Sequence, residues 1–74
     1  MDKSLEVKKL AKRIKSLRIA KGYSSYEKFA FENGIHRAQY GRYEIGTDIQ
    51  YTNLLKIARA FDMTLEEFFS DGFD

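Results

Sequence analysis

Residues 29–46 read FAFENGIHRAQYGRYEIG, and they contain two short helical patterns separated by Asn33-Gly34. Asn-Gly is a natural left-handed terminator, so we expect the first of these helices to end near Glu32. This helix should begin at Ser24 or Ser25, because both are good N-cap residues. Ser24 and Glu27 fit a capping box, but Ser25 is an equally good cap residue, so the start is left open by one residue.

The segment after the break is predicted to form a second helix that ends at Tyr43 or Glu44. His36 stands at its N-cap position, with Gln39 at the site of the reciprocal capping bond. Two interpretations of His36 are open. A protonated imidazole would donate to a phosphate and strengthen binding below a pH of about 6.5, whereas a partly exposed cap would have no role in pH dependence.

Helical periodicity continues on both sides of this pair. A first helix over residues 4–21 has one apolar stripe and should end at Gly22. A fourth helix presents a broad apolar face made of Tyr51, Leu54, Leu55, Ile57, Ala58 and Phe61. Thr64 and Glu67 form a capping box for a short fifth helix, and the terminal DGFD is expected to fray.

No segment alternates polar and apolar residues at period two, so the sequence predicts an all-α, five-helix globule. Residues 1–74 form one domain in this interpretation. The central helix pair occupies residues 24–44 and the two closing helices occupy residues 51–70.

Composition restricts the chemistry. The 74 residues include one histidine and no cysteine, so neither a disulfide nor a metal-ligand set is expected, and no nucleophile–base pair is available for catalysis. We therefore predict a non-enzyme without cofactor or metal, stabilised by packing of its eleven aromatic residues. The absence of an apolar run of about 18 residues, together with the charged start MDKSLEVKKL, favours a cytoplasmic protein with no membrane partner.

Charge is distributed unevenly along the chain. Residues 1–22 contain eight Lys or Arg and two acidic residues, whereas residues 47–74 contain two basic and six acidic ones. Such polarity would let one surface meet a polyanion while the opposite surface is repelled by it. An equally acceptable explanation is that the lysines simply cover the solvent face of an ordinary helix.

Winding residues 37–44 at 100° per residue separates two faces of the third helix. Its polar face comprises Arg37, Ala38, Gly41 and Arg42, and its opposite face comprises Tyr40, Tyr43 and Glu44. A glycine inside a helix costs about 1 kcal/mol relative to alanine, which calls for an explanation. Either Gly41 lets a DNA major groove approach the backbone beside the arginines, or it makes room for a neighbouring helix while the arginines are merely solvated.

From Ile14 to Phe69 the chain resembles the XRE and phage-repressor (Cro-type) family of small helix-turn-helix regulators from bacteria and phages. The resemblance is carried by IKSLR (14–18), KGYS (21–24), Phe29-Ala30, Gly34-Ile35, Tyr40, Tyr43, Glu44-Ile45-Gly46 and LLKIARAFDMTLEEFF (54–69). Its implication is a transcriptional regulator, such as a repressor, that binds double-stranded DNA.

The resemblance also implies roles for individual residues. The residues expected at base edges are Arg37, Ala38, Gln39 and Arg42. The residues expected at the DNA backbone are Ser24, Ser25 and Tyr26, to which we add His36, Lys8 and Lys9 from their charge and position. Arg18 and Glu44 occupy the family's positions for an ion pair between the first and third helices.

Some features leave the partner open. Operators of this fold are usually palindromic, which predicts a homodimer, and its interface is expected at Phe68 and Phe69 unless these rings are ordinary core. We expect one of the two to be buried and the other exposed. Ile45 replaces an asparagine that often contacts phosphate in the family, and Thr47-Asp48 replaces a commonly basic loop. The acidic loop and the aromatic C-terminal segment favour an alternative, an antitoxin-like or other protein-binding module with weak or no DNA binding.

Overall fold

Five helices joined by short connections make up the chain, and the computed structural model describes residues 1–74. The helices are α1 (Lys3–Ala20), α2 (Tyr26–Glu32), α3 (Arg37–Ile45), α4 (Tyr51–Ala60) and α5 (Leu65–Phe68). No strand is present, and the predicted all-α, five-helix fold is confirmed. None of the helices combines the length and the apolar character that a membrane crossing requires.

The turn between α2 and α3 begins where the sequence predicts. Ser25, rather than Ser24, is the N-cap of α2, and its hydroxyl oxygen accepts a hydrogen bond from the backbone N–H of Lys28 at 3.2 Å. The helix ends at Glu32, and Gly34 follows with a φ of +67°. A positive φ of this size is cheap only for glycine, so the Asn-Gly break determines where the chain turns.

Of the three predicted capping boxes, only the one at the start of α5 forms, and the box of Ser24 fails because Ser25 caps α2 instead. The His36 side chain makes no capping bond to α3, so the pairing with Gln39 is wrong. Thr64 and Glu67 do form the reciprocal bonds at the start of α5, at 2.9 and 3.1 Å. The hydrogen bond from the Thr64 backbone N–H lowers the pKa of Glu67, because it stabilises the charged carboxylate.

Phe29 of α2 lies at the centre of the core. Its ring stacks on Phe61 at a centroid distance of 4.8 Å and contacts Tyr40 and Tyr23 at 5.2 Å each. The buried residues around it come from every helix: Ile14, Ala30, Tyr40, Tyr43, Ile57, Ala58, Phe61 and Phe68. Aromatic packing therefore stabilises this small domain, as composition predicts.

Two predictions about apolar residues near the C-terminal half are wrong. Tyr51 is 63% exposed, because the first turn of α4 extends beyond the core that Ile57 and Ala58 enter. The terminal DGFD is also not frayed at Phe73, whose ring packs against Phe69 at 4.8 Å and against Phe68 at 6.1 Å. An apolar contact available only in the folded chain holds this end in place.

Arg13 attaches the closing helix to α1, a role that the sequence pattern does not indicate. Its Nε donates to the carbonyl oxygen of Phe68 at 2.8 Å, and its Nη2 donates to that of Glu67 at 3.1 Å. These carbonyls belong to the last turn of α5, where a cation satisfies acceptors that the helix itself leaves free.

Candidate nucleic-acid interface

The outward face of α3 carries the residues predicted to contact bases. Arg37 opens the helix, its side chain is 74% exposed, and its Nη1 lies 3.9 Å from a carboxylate oxygen of Glu27. Arg42 and Ala38 are exposed, and the Arg42 guanidinium makes no ion pair or hydrogen bond within the chain. Gln39 is half-buried. Two guanidinium groups therefore face solvent from one helix.

The inward face of α3 is anchored by two tyrosines. Tyr40 is fully buried and Tyr43 is 4% exposed, and both belong to the core cluster. Asn53 of α4 donates a hydrogen bond to the Tyr43 hydroxyl at 3.3 Å. Because these rings hold one side of the helix, the arginines on the other side are presented on a rigid support.

A buried ion pair fixes α3 to α1. The Nε of Arg18 donates to one carboxylate oxygen of Glu44 at 2.8 Å and the Nη2 donates to the other at 3.0 Å, in a bidentate arrangement. The two side chains are only 6% and 8% exposed. The Arg18 Nη1 also donates to the carbonyl oxygen of Tyr23 at 2.7 Å. The hydrogen bonds to Glu44 raise the pKa of Arg18 despite its burial, which opposes the charge.

The Tyr40 hydroxyl lies beside this pair but makes no hydrogen bond of its own. The pKa of Tyr40 is raised far above its ordinary value of 10.0, mainly because the hydroxyl is buried and to a smaller extent because the Glu44 carboxylate is close. Ionisation of this hydroxyl is therefore disfavoured in the folded state, so the free energy of unfolding does not depend on its titration below a pH of about 10 and falls as the pH rises further.

Replacing Tyr40 by phenylalanine is expected to raise the free energy of unfolding by about 1 kcal/mol, because it removes a buried polar group that has no partner. The alkaline loss of stability attributable to Tyr40 should disappear as well. Urea titrations at pH 7 and pH 10.5 would measure both effects. Tyr43→Phe is the matched control: it removes a bonded hydroxyl and should lower stability by about 1 kcal/mol. Equal losses in the two variants would contradict the assignment.

Gly41 makes room for a side chain of the neighbouring helix. A Cβ at this position would lie 2.7 Å from Cε1 and 3.2 Å from Cζ of Tyr26, whose ring covers the Cα. Gly41 therefore accommodates a side chain of α2, and the interpretation in which DNA approaches the bare backbone at this position is wrong. Tyr26 itself is 38% exposed, so its ring forms part of the outward surface.

The remaining predicted backbone contacts lie at two helix starts. Ser24 is exposed, and the Ser25 hydroxyl already accepts the capping bond. His36 is exposed immediately before α3, with its side chain free of any cap bond. Helix starts present backbone N–H groups that lack intrahelical partners, and such groups attract anions.

The basic side chains of α1 lie on different sides of the molecule. Lys8 lies beside the C-terminal end of α3: a Cβ built on Gly46 would be 4.0 Å from the Lys8 Cγ. Lys15 lines a surface groove of about 460 Å³ together with Arg42. Lys9 instead pairs with Glu6 at 3.0 Å and borders a separate depression next to Asp71. Lys15 is absent from the residues that sequence reasoning selects, although its seven-residue spacing from Lys8 places both on one helical face.

The two phenylalanines at the end of α5 differ in exposure. Phe68 is completely buried and Phe69 is 43% exposed, which confirms the prediction that one ring is buried and the other exposed. Phe68 is therefore unavailable to a partner chain. Of the two residues predicted at a dimer interface, only Phe69 lies at the surface.

Comparison with known proteins agrees with this architecture. A family model described as helix-turn-helix (HTH_3) matches residues 14–68, which run from the middle of α1 to the end of α5. No curated protein and no solved structure matches the chain. HTH_3 is a DNA-binding, non-enzymatic family. The match covers well over half of the chain, and the protein therefore belongs to the XRE and phage-repressor family of helix-turn-helix proteins.

Proposed function

We propose that the protein is a sequence-specific transcriptional regulator that inserts α3 into the major groove of double-stranded DNA. The observation that carries this proposal is the exposure of Arg37 and Arg42 on one face of a helix whose other face is anchored by buried tyrosines. A major groove admits a whole helix, and an arginine can bond to guanine O6 and N7 at once.

In this proposal Arg42 and Arg37 provide most of the base specificity. Arg42 is free of intramolecular partners, whereas Arg37 exchanges a long, exposed contact with Glu27 for a base edge. Such an exposed contact is worth little in free energy, so it presents no obstacle to DNA binding. Gln39 adds a hydrogen bond from its half-buried position, and Ala38 contacts the base edges directly.

Contacts to the DNA backbone would position this helix. The proposed contacts are Ser24, Ser25 and the Tyr26 hydroxyl at the start of α2 and His36 before α3, since helix starts have backbone N–H groups without intrahelical partners. On α1, Lys8 and Lys15 flank the same face, and Lys15 takes the role expected of Lys9. Contacts of this kind set register and orientation without selecting sequence.

Lys15→Gln is expected to weaken binding to all duplexes alike and to reduce the slope of log K against log salt concentration by about 1, because one phosphate contact is lost. Lys9→Gln is the control, because it removes the same kind of side chain from α1 at a position outside the groove that Lys15 and Arg42 line. It should leave the slope nearly unchanged. Fluorescence titrations between about 50 and 200 mM salt would measure both. A larger effect of Lys9→Gln than of Lys15→Gln would contradict this orientation of α1.

A homodimer on a palindromic site fits the family. Two copies of α3 would enter successive major grooves about 34 Å apart. Phe69, exposed beside Phe73 in an apolar depression next to the start of α1, is the proposed contact residue between the copies.

In-vitro selection from a random duplex library tests the proposal directly. An enriched palindrome, bound far more tightly than random duplexes, is the expected result, and its half-site spacing reports the symmetry of the complex. An alternative is a protein-binding module of the same fold, which the exposure of Phe31 (85%) and of Phe69 favours. Affinity no better than about 10⁻⁴ M for every duplex at physiological salt would support that alternative.

A further inference from the structure

The centre of the outward face of α3 is apolar rather than charged. At 100° per residue, taking Arg37 as zero, Gly41, Ile45 and Ala38 fall at about 40°, 80° and 100°, whereas Arg42 falls at about 140°. Ile45 is 82% exposed and Ala38 is exposed as well. The two arginines therefore border an apolar centre.

The Tyr26 ring joins the apolar surfaces of Ala38 and Ile45 into one continuous patch. The ring occupies the space above Gly41, where a side chain of α3 is missing. Tyr26, Ala38 and Ile45 line the same groove as Arg42 and Lys15, and we refer to these three residues as the apolar strip. None of the three belongs to the hydrophobic core cluster.

The chemistry of base edges identifies a partner for such a strip. In the major groove the edges display hydrogen-bonding groups and one apolar group, the 5-methyl of thymine. A guanidinium next to an apolar side chain suits a guanine next to a thymine. We infer that the apolar strip recognises thymine methyl groups beside the guanines that the arginines bond, an inference that rests on the proposed DNA-binding function.

The dimensions of the strip set its reach. Ala38 and Ile45 are seven residues apart, which is about 10 Å along a helix that rises 1.5 Å per residue. Base pairs are spaced about 3.4 Å apart along the duplex, so the strip passes about three of them. The affinity for the duplex should therefore depend on the methyl groups of one to three thymines in each half-site.

Replacing single thymines by deoxyuridine in the selected duplex removes the methyl group and leaves the hydrogen-bonding edge intact. We expect the Kd to rise about four-fold at each thymine that contacts the strip, as burial of one methyl group predicts. Thymines elsewhere in the duplex should show no change.

Variants of the strip assign the effect to its residues. Ile45→Ala and Tyr26→Ala should each reduce the deoxyuridine effect at one thymine position and leave the others as they are. Phe31→Ala is the matched control, since it removes another highly exposed apolar side chain, 85% exposed, that does not line the groove. It should preserve the deoxyuridine effect at every position.

Several outcomes would overturn the inference. These are an enriched half-site without thymine, a selected duplex that is insensitive to deoxyuridine at every position, and a deoxyuridine effect that no variant of the strip reduces. All three leave sequence-specific binding intact. Failure to enrich any sequence would instead reject the proposed function, and the inference with it.

Discussion

Glu44→Ala is expected to lower the free energy of unfolding by about 3–5 kcal/mol, because it leaves the Arg18 guanidinium buried without its counter-charge. The Arg18 side chain is only 6% exposed, so solvent compensates little for the lost carboxylate. A domain of this size has a total stability of about 5 kcal/mol or little more, so the variant should be largely unfolded at 37 °C. Urea titration monitored by circular dichroism at low temperature would measure the loss.

Two further variants separate this explanation from general damage to the fold. Lys21→Ala removes an exposed ion pair with Asp62, formed at 3.2 Å, and should cost less than about 1 kcal/mol. Arg18→Met combined with Glu44→Leu removes both buried charges and should restore much of the stability that Glu44→Ala loses. A loss for Glu44→Ala no larger than that for Lys21→Ala would show that burial of the pair has little energetic importance.

Arg42→Ala is expected to weaken binding to the selected duplex by about 1–3 kcal/mol and to relax selectivity at one base pair, because a bidentate contact to guanine is lost. Binding to random duplexes should change much less. The exposed side chain makes no ion pair or hydrogen bond within the chain, so the fold should keep its stability. Parallel titrations of both duplex pools with a urea control would measure these effects.

Arg59→Ala is the matched control for this experiment. Arg59 is also exposed on a helix and carries the same charge, but it lies in α4, away from the groove that Arg42 lines. It should affect both duplex pools slightly and equally. If Arg42→Ala also weakened both pools equally, Arg42 would be a backbone contact rather than a base contact.

Several features of the fold follow from short stretches of sequence. The ends of α2 were predictable because Ser25, Asn33 and Gly34 act through hydrogen bonds and dihedral angles within a few residues. The capping box of α5 is local in the same sense. Tyr51 was misplaced because helical periodicity specifies a face and not how far along the helix the core extends.

The candidate site was predictable only in part. The angular positions of Arg37 and Arg42 follow from helix geometry, and both side chains are exposed. The partner of Gly41 was not predictable, because periodicity within α3 says nothing about which side chain of α2 reaches it. The same limit applies to Lys15, whose proximity to Arg42 depends on how α1 crosses α3.

By itself, the sequence determined five helices, their turns and a helix-turn-helix arrangement, because caps, breaks and apolar periodicity act over a few residues. The tertiary structure alone decided that Tyr26 covers Gly41, that Phe68 is buried while Phe69 is exposed, and that the Tyr40 hydroxyl has no partner. These outcomes depend on which faces of different helices meet. Packing among elements distant in the chain sets that geometry, and local propensities do not encode it.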